Sequence, residues 1–375
     1  MLSFDRPFFT IIMNNLLNIL VVSTPVGAIG SGKAGGVELT IKNIVNNLSA
    51  RGHGIDVVAP AGSEIVCRDL HLISGSFSAL AQDDIEEENI VIPDNSVLEN
   101  MWDYAHRVQH DYDLLVNFAY DWLPLYLTPF FERPIAHWIS MSCISPMMNR
   151  MVSQTTAMFP QTLAVNTRAS ANTFQAKEQL QIMGKGINLQ QYTFVEKPQT
   201  PNLAWAGRIS PEKGLADAIE AAILAGRKLN IFGVIQNHDY WQTIQNKYPS
   251  SAYTYHGFLT TADFQAKLGH CVGLLMTSHW IEAFGNVVIE ALACGVPVVA
   301  YDRGGPAEIV ENGVTGWLVE HKSIAALSVG LQKIEQIDRY SCRLSVARKF
   351  SLSAFADRIE FWFQDVSQSK LANKK

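Results

Sequence analysis

Apolar and polar positions along this chain fall into two alternating rhythms. Short, largely apolar runs at 19–23, 55–59, 114–118 and 135–139 read as buried strands of a parallel sheet. Between the first two, residues 37–48 repeat at helical spacing and Gly52 closes the pattern. The segment 63–100 is acidic and irregular, and reads as strands with excursions over the surface. A second βαβ rhythm opens at 203–207, with helices at 215–225 and 240–247 and strands at 229–233 and 253–257. Residues 287–294 form a further helix pattern, ended by Gly295 and Pro297 before the strand 298–300. The last helix, 354–363, is aromatic and amphipathic and suits packing back across the domain junction.

Strand and helix in alternation argue for an α/β fold of parallel sheets. At 375 residues the chain is too long for one ordinary domain. The reading is two Rossmann-like domains, 14–185 and 186–350, with a crossover helix at 351–366. Apolar residues make up 48% and charged residues 17%, which suits large buried sheets. A net charge of −6 gives no electrostatic case for nucleic acid.

The five cysteines are scattered and form no CxxC pair, so neither a disulfide framework nor a zinc site is suggested. A reducing cytoplasm is the simplest home. No apolar stretch reaches the roughly 20 residues that span a bilayer. The first dozen residues read as an extension, with Met13 as an alternative start. Ser369-Lys370-Leu371 is not terminal and so is void as a peroxisomal address.

Candidate chemistry is densest at 278–300. Glu282 precedes a Phe284-Gly285-Asn286 turn, and Glu290 lies one helical turn beyond it. A helix N-terminus presents unpaired N–H groups and partial positive charge, so this turn can cradle hydroxyls or a phosphate oxygen. Glu290 is placed to accept hydrogen bonds from a ribose diol, and Glu282 from a sugar hydroxyl. Capping acids on a solvated helix start are the bland alternative. Arg208 leaves the strand 203–207 and Lys213 follows just before the next helix. Both then fall at the C-terminal edge of a parallel sheet, where open α/β folds bind ligands.

Two nucleotide motifs in the first loop are decoys. Gly27 to Lys33 spells GxxxxGK, but Ala34 stands where a P-loop needs a magnesium-holding hydroxyl. Gly30, Gly32 and Gly35 spell GxGxxG, yet Asp56 opens its strand where a dinucleotide site wants an acid at the strand's end. The better reading is that Gly35-Gly36 lets backbone approach a ligand at a helix start. Phe258, in His256-Gly257-Phe258-Leu259, ends a strand where backbone groups can meet a base. His137 lies within an apolar strand, where a lone histidine is more often a core residue. Tyr120, Trp122 and Tyr126 read either as core filling or as a stacking wall for a flat acceptor.

Taken together, these residues resemble the retaining glycosyltransferases of the large GT-B group known as family four, or glycosyl transferases group 1. Gly35-Gly36-Val37-Glu38 matches that family's GGxE element, and Gly186-Ile187-Asn188 resembles its GID turn with Asn for Asp. Gly207-Arg208 to Lys213-Gly214 matches GRxxxxKG, and Glu282 to Glu290 matches the E-x7-E signature. Asp302-Arg303-Gly304-Gly305, Glu308-Ile309-Val310, Asn312-Gly313 and Thr315-Gly316 match the segment that follows.

The resemblance implies that Arg208 and Lys213 hold a donor diphosphate and Glu290 the ribose. Glu282 and the Phe284, Gly285 and Asn286 amides would hold the donor sugar. Gly35 and Gly36 would cover the phosphates, and His137 resembles the histidine whose backbone or side chain lies near the reacting carbon. No metal or other cofactor is implied, because Arg208 and Lys213 supply the charge. The donor implied is UDP-glucose, with GDP-mannose and ADP-glucose served by nearly the same motifs. The acceptor reading is a small soluble molecule, including a flat heterocycle such as a pterin. Mannosyl or glucosyl transfer to a cell-surface glycan or glycolipid, and a binding paralogue without turnover, are the alternatives.

Overall fold

A computed structural model of the chain describes residues 16–31, 35–78 and 93–369. Seven parallel strands build the first sheet: β1 (Asn18–Val22), β2 (Gly54–Pro60), β3 (Asp69–Ile73), β4 (Leu114–Asn117), β5 (Ile135–Ile139), β6 (Leu163–Val165) and β7 (Gln181–Ile182). Their order is β3-β2-β1-β4-β5-β6-β7, so the chain runs outward one way and then reverses at β1/β4. The second sheet has six: β8 (Leu203–Ala206), β9 (Leu229–Phe232), β10 (Tyr253–Tyr255), β11 (Gly273–Met276), β12 (Val298–Tyr301) and β13 (Gly316–Val319). Its order, β10-β9-β8-β11-β12-β13, reverses in the same way at β8/β11. The α/β class and the pair of Rossmann-like parallel sheets anticipated from the apolar runs are both present.

Helices cover both faces of each sheet, which is why the central strands are largely apolar and buried on both sides. All four residues of β4 and all five of β5 are buried. In the first domain Phe118 stacks on Trp138, with ring centroids 5.9 Å apart. The other side of Trp138 is closed by the C-terminal helix, Leu352–Gln368, through Phe355 and Trp362. That helix runs well past the anticipated 354–363. Each of its buried aromatic side chains contributes on the order of 2 kcal/mol of apolar burial to the first domain's core. Polar ties fix its register: Trp362 Nε1 donates to Gln161 O at 2.7 Å, and Arg51 bridges Asp357 and Glu360, each at 2.6 Å.

The chain therefore crosses between domains twice, and the crossings touch. Ile187 N donates to Phe350 O at 2.8 Å, and Ile187 bridges Ser351 in parallel. Gly186 is required there, since a Cβ on it would sit 2.7 Å from Phe355. Among the described residues no helix is long and apolar enough to cross a membrane.

Candidate functional site

The C-terminal edges of the two sheets face one another across a cleft, and several bonds join them. Ser142, after β5, donates from Oγ to Ile281 O at 3.1 Å, and Thr167 Oγ1 donates to Ala283 O at 2.9 Å. The carboxylate of Glu308 accepts the Arg168 and Ala169 amides at 3.0 and 2.5 Å, at the start of the turn Arg168–Ala171. These ties bring the first domain against the segment 281–286.

On the second domain's side, Lys213 reaches the site because its loop presses onto β11. Gly214 has φ +69°, and a Cβ there would lie 2.0 Å from Thr277 O. Thr277 Oγ1 donates to Gly214 O at 2.8 Å and accepts Trp205 Nε1 at 3.2 Å, which locks the loop. Lys213 Nζ then donates to Glu282 Oε1 at 2.5 Å, and Ser278 Oγ donates to the same oxygen at 2.7 Å. Burial alone would push the Glu282 carboxyl up, but the Lys213 ammonium and the Ser278 hydroxyl hold it below the usual carboxylate range. Arg208 donates to Gln236 Oε1 at 2.8 Å. Trp280 forms a platform for both cations, with Lys213 Nζ 4.4 Å and Arg208 Cζ 5.7 Å from its ring centroid.

Beside this pair, Gly285 takes φ +95° to open the helix Asn286–Ala293. Glu290, in its second turn, accepts Tyr192 OH at 3.4 Å. Burial pushes the Glu290 carboxyl up to about 7, while Tyr192 and Lys185 pull it back. Lys185 was not singled out from the sequence. Burial lowers its ammonium to about 8, against the attraction of Glu282 and Glu290.

Across the cleft, the helix Gly36–Ala50 begins at Gly35, with φ +54°. A Cβ on Gly36 would meet Asn286 Nδ2 at 2.4 Å, so the glycine permits the contact between domains. Glu38 is buried and accepts Gly30 N at 2.8 Å, holding the loop shut from within. Gly32, Lys33 and Ala34 of the two decoy motifs lie outside the described residues, as does the 1–15 extension. The Asp56 carboxylate is consumed structurally by Arg68, at 2.8 Å to each oxygen, and by Tyr112 OH at 2.8 Å. It is not available to a ribose.

His137 lies in the middle of β5. Its side chain is fully buried under β5, with Nε2 2.9 Å from Thr128 Oγ1 and Nδ1 3.3 Å from Asn117 Nδ2. Burial depresses its pKa to about 3, so the ring is neutral. Phe258 lies past the end of β10 and is 76% exposed. Tyr120 is half-buried and donates to Ser142 O at 3.2 Å, while the Trp122 and Tyr126 rings lie 6.0 Å apart and Tyr126 is 52% exposed. Among the described residues no group of three or more His, Cys, Asp or Glu is arranged to hold a metal ion.

Comparisons with known proteins place the fold. Sucrose-phosphate synthase from Thermosynechococcus elongatus superposes with a TM-score of 0.74 at 18% identity, over 93% of this chain and 98% of that one. Anabaena HepE in complex with UDP and glucose gives 0.70 at 19% identity, over 93% and 100%. The fold is that of the GT-B glycosyltransferases. Residues 192–365, which include the whole second sheet, match the family model of glycosyl transferases group 1. Glycogen synthase of Mycobacterium tuberculosis is 29% identical over 165 residues, 42% of this chain and 40% of that protein. N-acetyl-alpha-D-glucosaminyl L-malate synthase of Bacillus anthracis is 32% identical over 115 residues, 29% of this chain and 30% of that protein. The matched stretches thus span well under half of these curated relatives.

Proposed function

We propose that the protein is a retaining hexosyltransferase that takes glucose from UDP-glucose and passes it to a small soluble acceptor. The observation that carries this reading is the convergence of Arg208, Lys213, Glu282 and Glu290 on one sheet edge, closed by the Gly35–Gly36 turn of the other domain. In the reaction the bond between the sugar and the diphosphate lengthens, and negative charge gathers on the leaving phosphate. Arg208 and Lys213 neutralise that charge without a metal. Glu290 accepts from the ribose diol. Glu282, with the Phe284, Gly285 and Asn286 amides, orients the sugar.

In this reading the acceptor attacks from the face the diphosphate leaves, and its proton passes to the departing phosphate. Domain closure keeps water from the reacting carbon. The solved HepE complex with UDP-glucose supports the choice of donor, as a property of that relative.

The test is thermal melting of the purified chain against UDP, GDP, ADP and their glucose and mannose conjugates, followed by a product assay with an acceptor panel that includes pterins. Ligand at about a hundred times its Kd adds roughly 2.7 kcal/mol of stability. A rise with UDP and UDP-glucose alone is expected, together with release of UDP when acceptor is present. No rise with any nucleotide would overturn the reading.

A further inference from the structure

Lys185 is the least explained charge in the molecule. It belongs to the outgoing crossover, between Gly184 and Gly186, and the hydrogen bond from Ile187 to Phe350 pins that crossover to the returning chain. Its position is therefore set by backbone and not by a long flexible loop. Its ammonium makes no hydrogen bond or ion pair among the described residues. A half-buried cation left without a direct partner is costly unless a ligand completes its surroundings. Arg208 and Lys213 are different: Gln236 and Glu282 already engage them.

Three further features meet at the Lys185 ammonium. It stands 3.2 Å from the point a Gly36 Cβ would occupy, beside Asn286 Nδ2 at 2.4 Å from the same point. It lies 6.0 Å from the Phe284 ring centroid. It is within electrostatic reach of both Glu282 and Glu290, which keep it charged near neutral pH despite burial. Gly36 and Asn286 are the first residues of their helices, so two positive helix ends point to the place this ammonium fills. An anion held there would lie between the sugar carboxylate Glu282 and the ribose carboxylate Glu290. On the reading proposed above, the group between sugar and ribose is the diphosphate.

We propose that Lys185 is a third donor cation, one that grips the diphosphate from the interdomain crossover and so ties donor binding to closure of the two domains. This inference rests on the nucleotide-sugar reading, and the experiment separates the two. UDP and uridine are titrated calorimetrically into the wild type, Lys185→Met and Lys185→Arg. Met keeps the aliphatic stem over Phe284, and melting curves confirm that each variant is folded. UDP affinity is expected to fall about 10- to 100-fold in Lys185→Met, as for loss of a charge-assisted contact, with uridine affinity unchanged and most of the UDP affinity kept in Lys185→Arg. An unchanged UDP affinity in Lys185→Met, or an equal loss for UDP and uridine, would overturn the role of Lys185 while leaving the donor reading intact. If the wild type binds neither UDP nor uridine, and GDP and ADP fail as well, both ideas fall together.

Discussion

The two sheet edges that face each other across the cleft solve different problems. At the second sheet, charged groups crowd the strand ends: Lys213 on Glu282, Arg208 above Trp280, and Glu290 raised to about 7. At the first sheet, the strand ends carry neutral polar groups that satisfy one another. Asn117, His137 and Thr128 form a closed set with no charge among them. A site built from charge needs a ligand to complete it, and is expensive to hold empty. A site built from self-satisfied neutral groups is stable by itself and offers shape instead. On the proposed reading, the diphosphate falls to the second domain and the acceptor to the surfaces of the first.

The sharpest way to break that contrast is Lys213→Ala. It removes a diphosphate cation and strands the Glu282 carboxylate, and turnover should drop by about 100-fold or more. A loss smaller than tenfold in a steady-state product assay would mean that the charged edge is not where the leaving group sits. His137→Gln should act in the opposite manner, costing roughly 1–3 kcal/mol of stability while turnover per folded molecule holds. The pH dependence should change too. The native ring, with its pKa near 3, refuses a proton that the unfolded chain accepts below about 6.5. Stability from this group is present above that pH and is lost as pH falls, so the variant's acid limb should flatten. A large loss of turnover in stable His137→Gln would restore a chemical role for the ring.

The smallest effect is expected at Glu290. Its carboxyl titrates near 7 in the fold and near 4.5 unfolded, so the folded protein binds more protons between those values. The associated stability is present below 4.5 and is lost as pH rises through 7. Glu290→Gln should therefore raise ligand-free stability at pH 8, on the order of 1 kcal/mol, with the gain shrinking toward pH 5. Denaturant melts at the two pH values read this directly; equal shifts at both would show that burial does not strain the carboxylate.

Much of this architecture was legible in the chain. Helical and strand periods anticipated Gly36–Ala50, Leu215–Leu224 and Asn286–Ala293 to within a residue or two at most ends. The charged motifs were readable because their members sit close in sequence, with Lys213 and Glu282 alone needing the β8–β11 pairing to meet. β7 spans two residues and has no period to read. The partners of His137 could not be read from the chain, because position in a strand does not say which face a side chain takes, and Asn117 and Thr128 come from separate segments. Lys185 was invisible for the same reason. A lysine between two glycines looks like a solvated turn until two helix starts and two carboxylates converge on it.

The helix Leu352–Gln368 has a consequence for synthesis. Its Phe355 and Trp362 complete the packing around Trp138, a residue made more than two hundred positions earlier. While the ribosome is still producing the second domain, the first has its strands but not the aromatic plug that covers them. The nascent protein carries an open apolar face until this helix is made and sealed against it. A chain that stops before this helix would keep Arg208, Lys213, Glu282 and Glu290 yet present that face to chaperones and proteases.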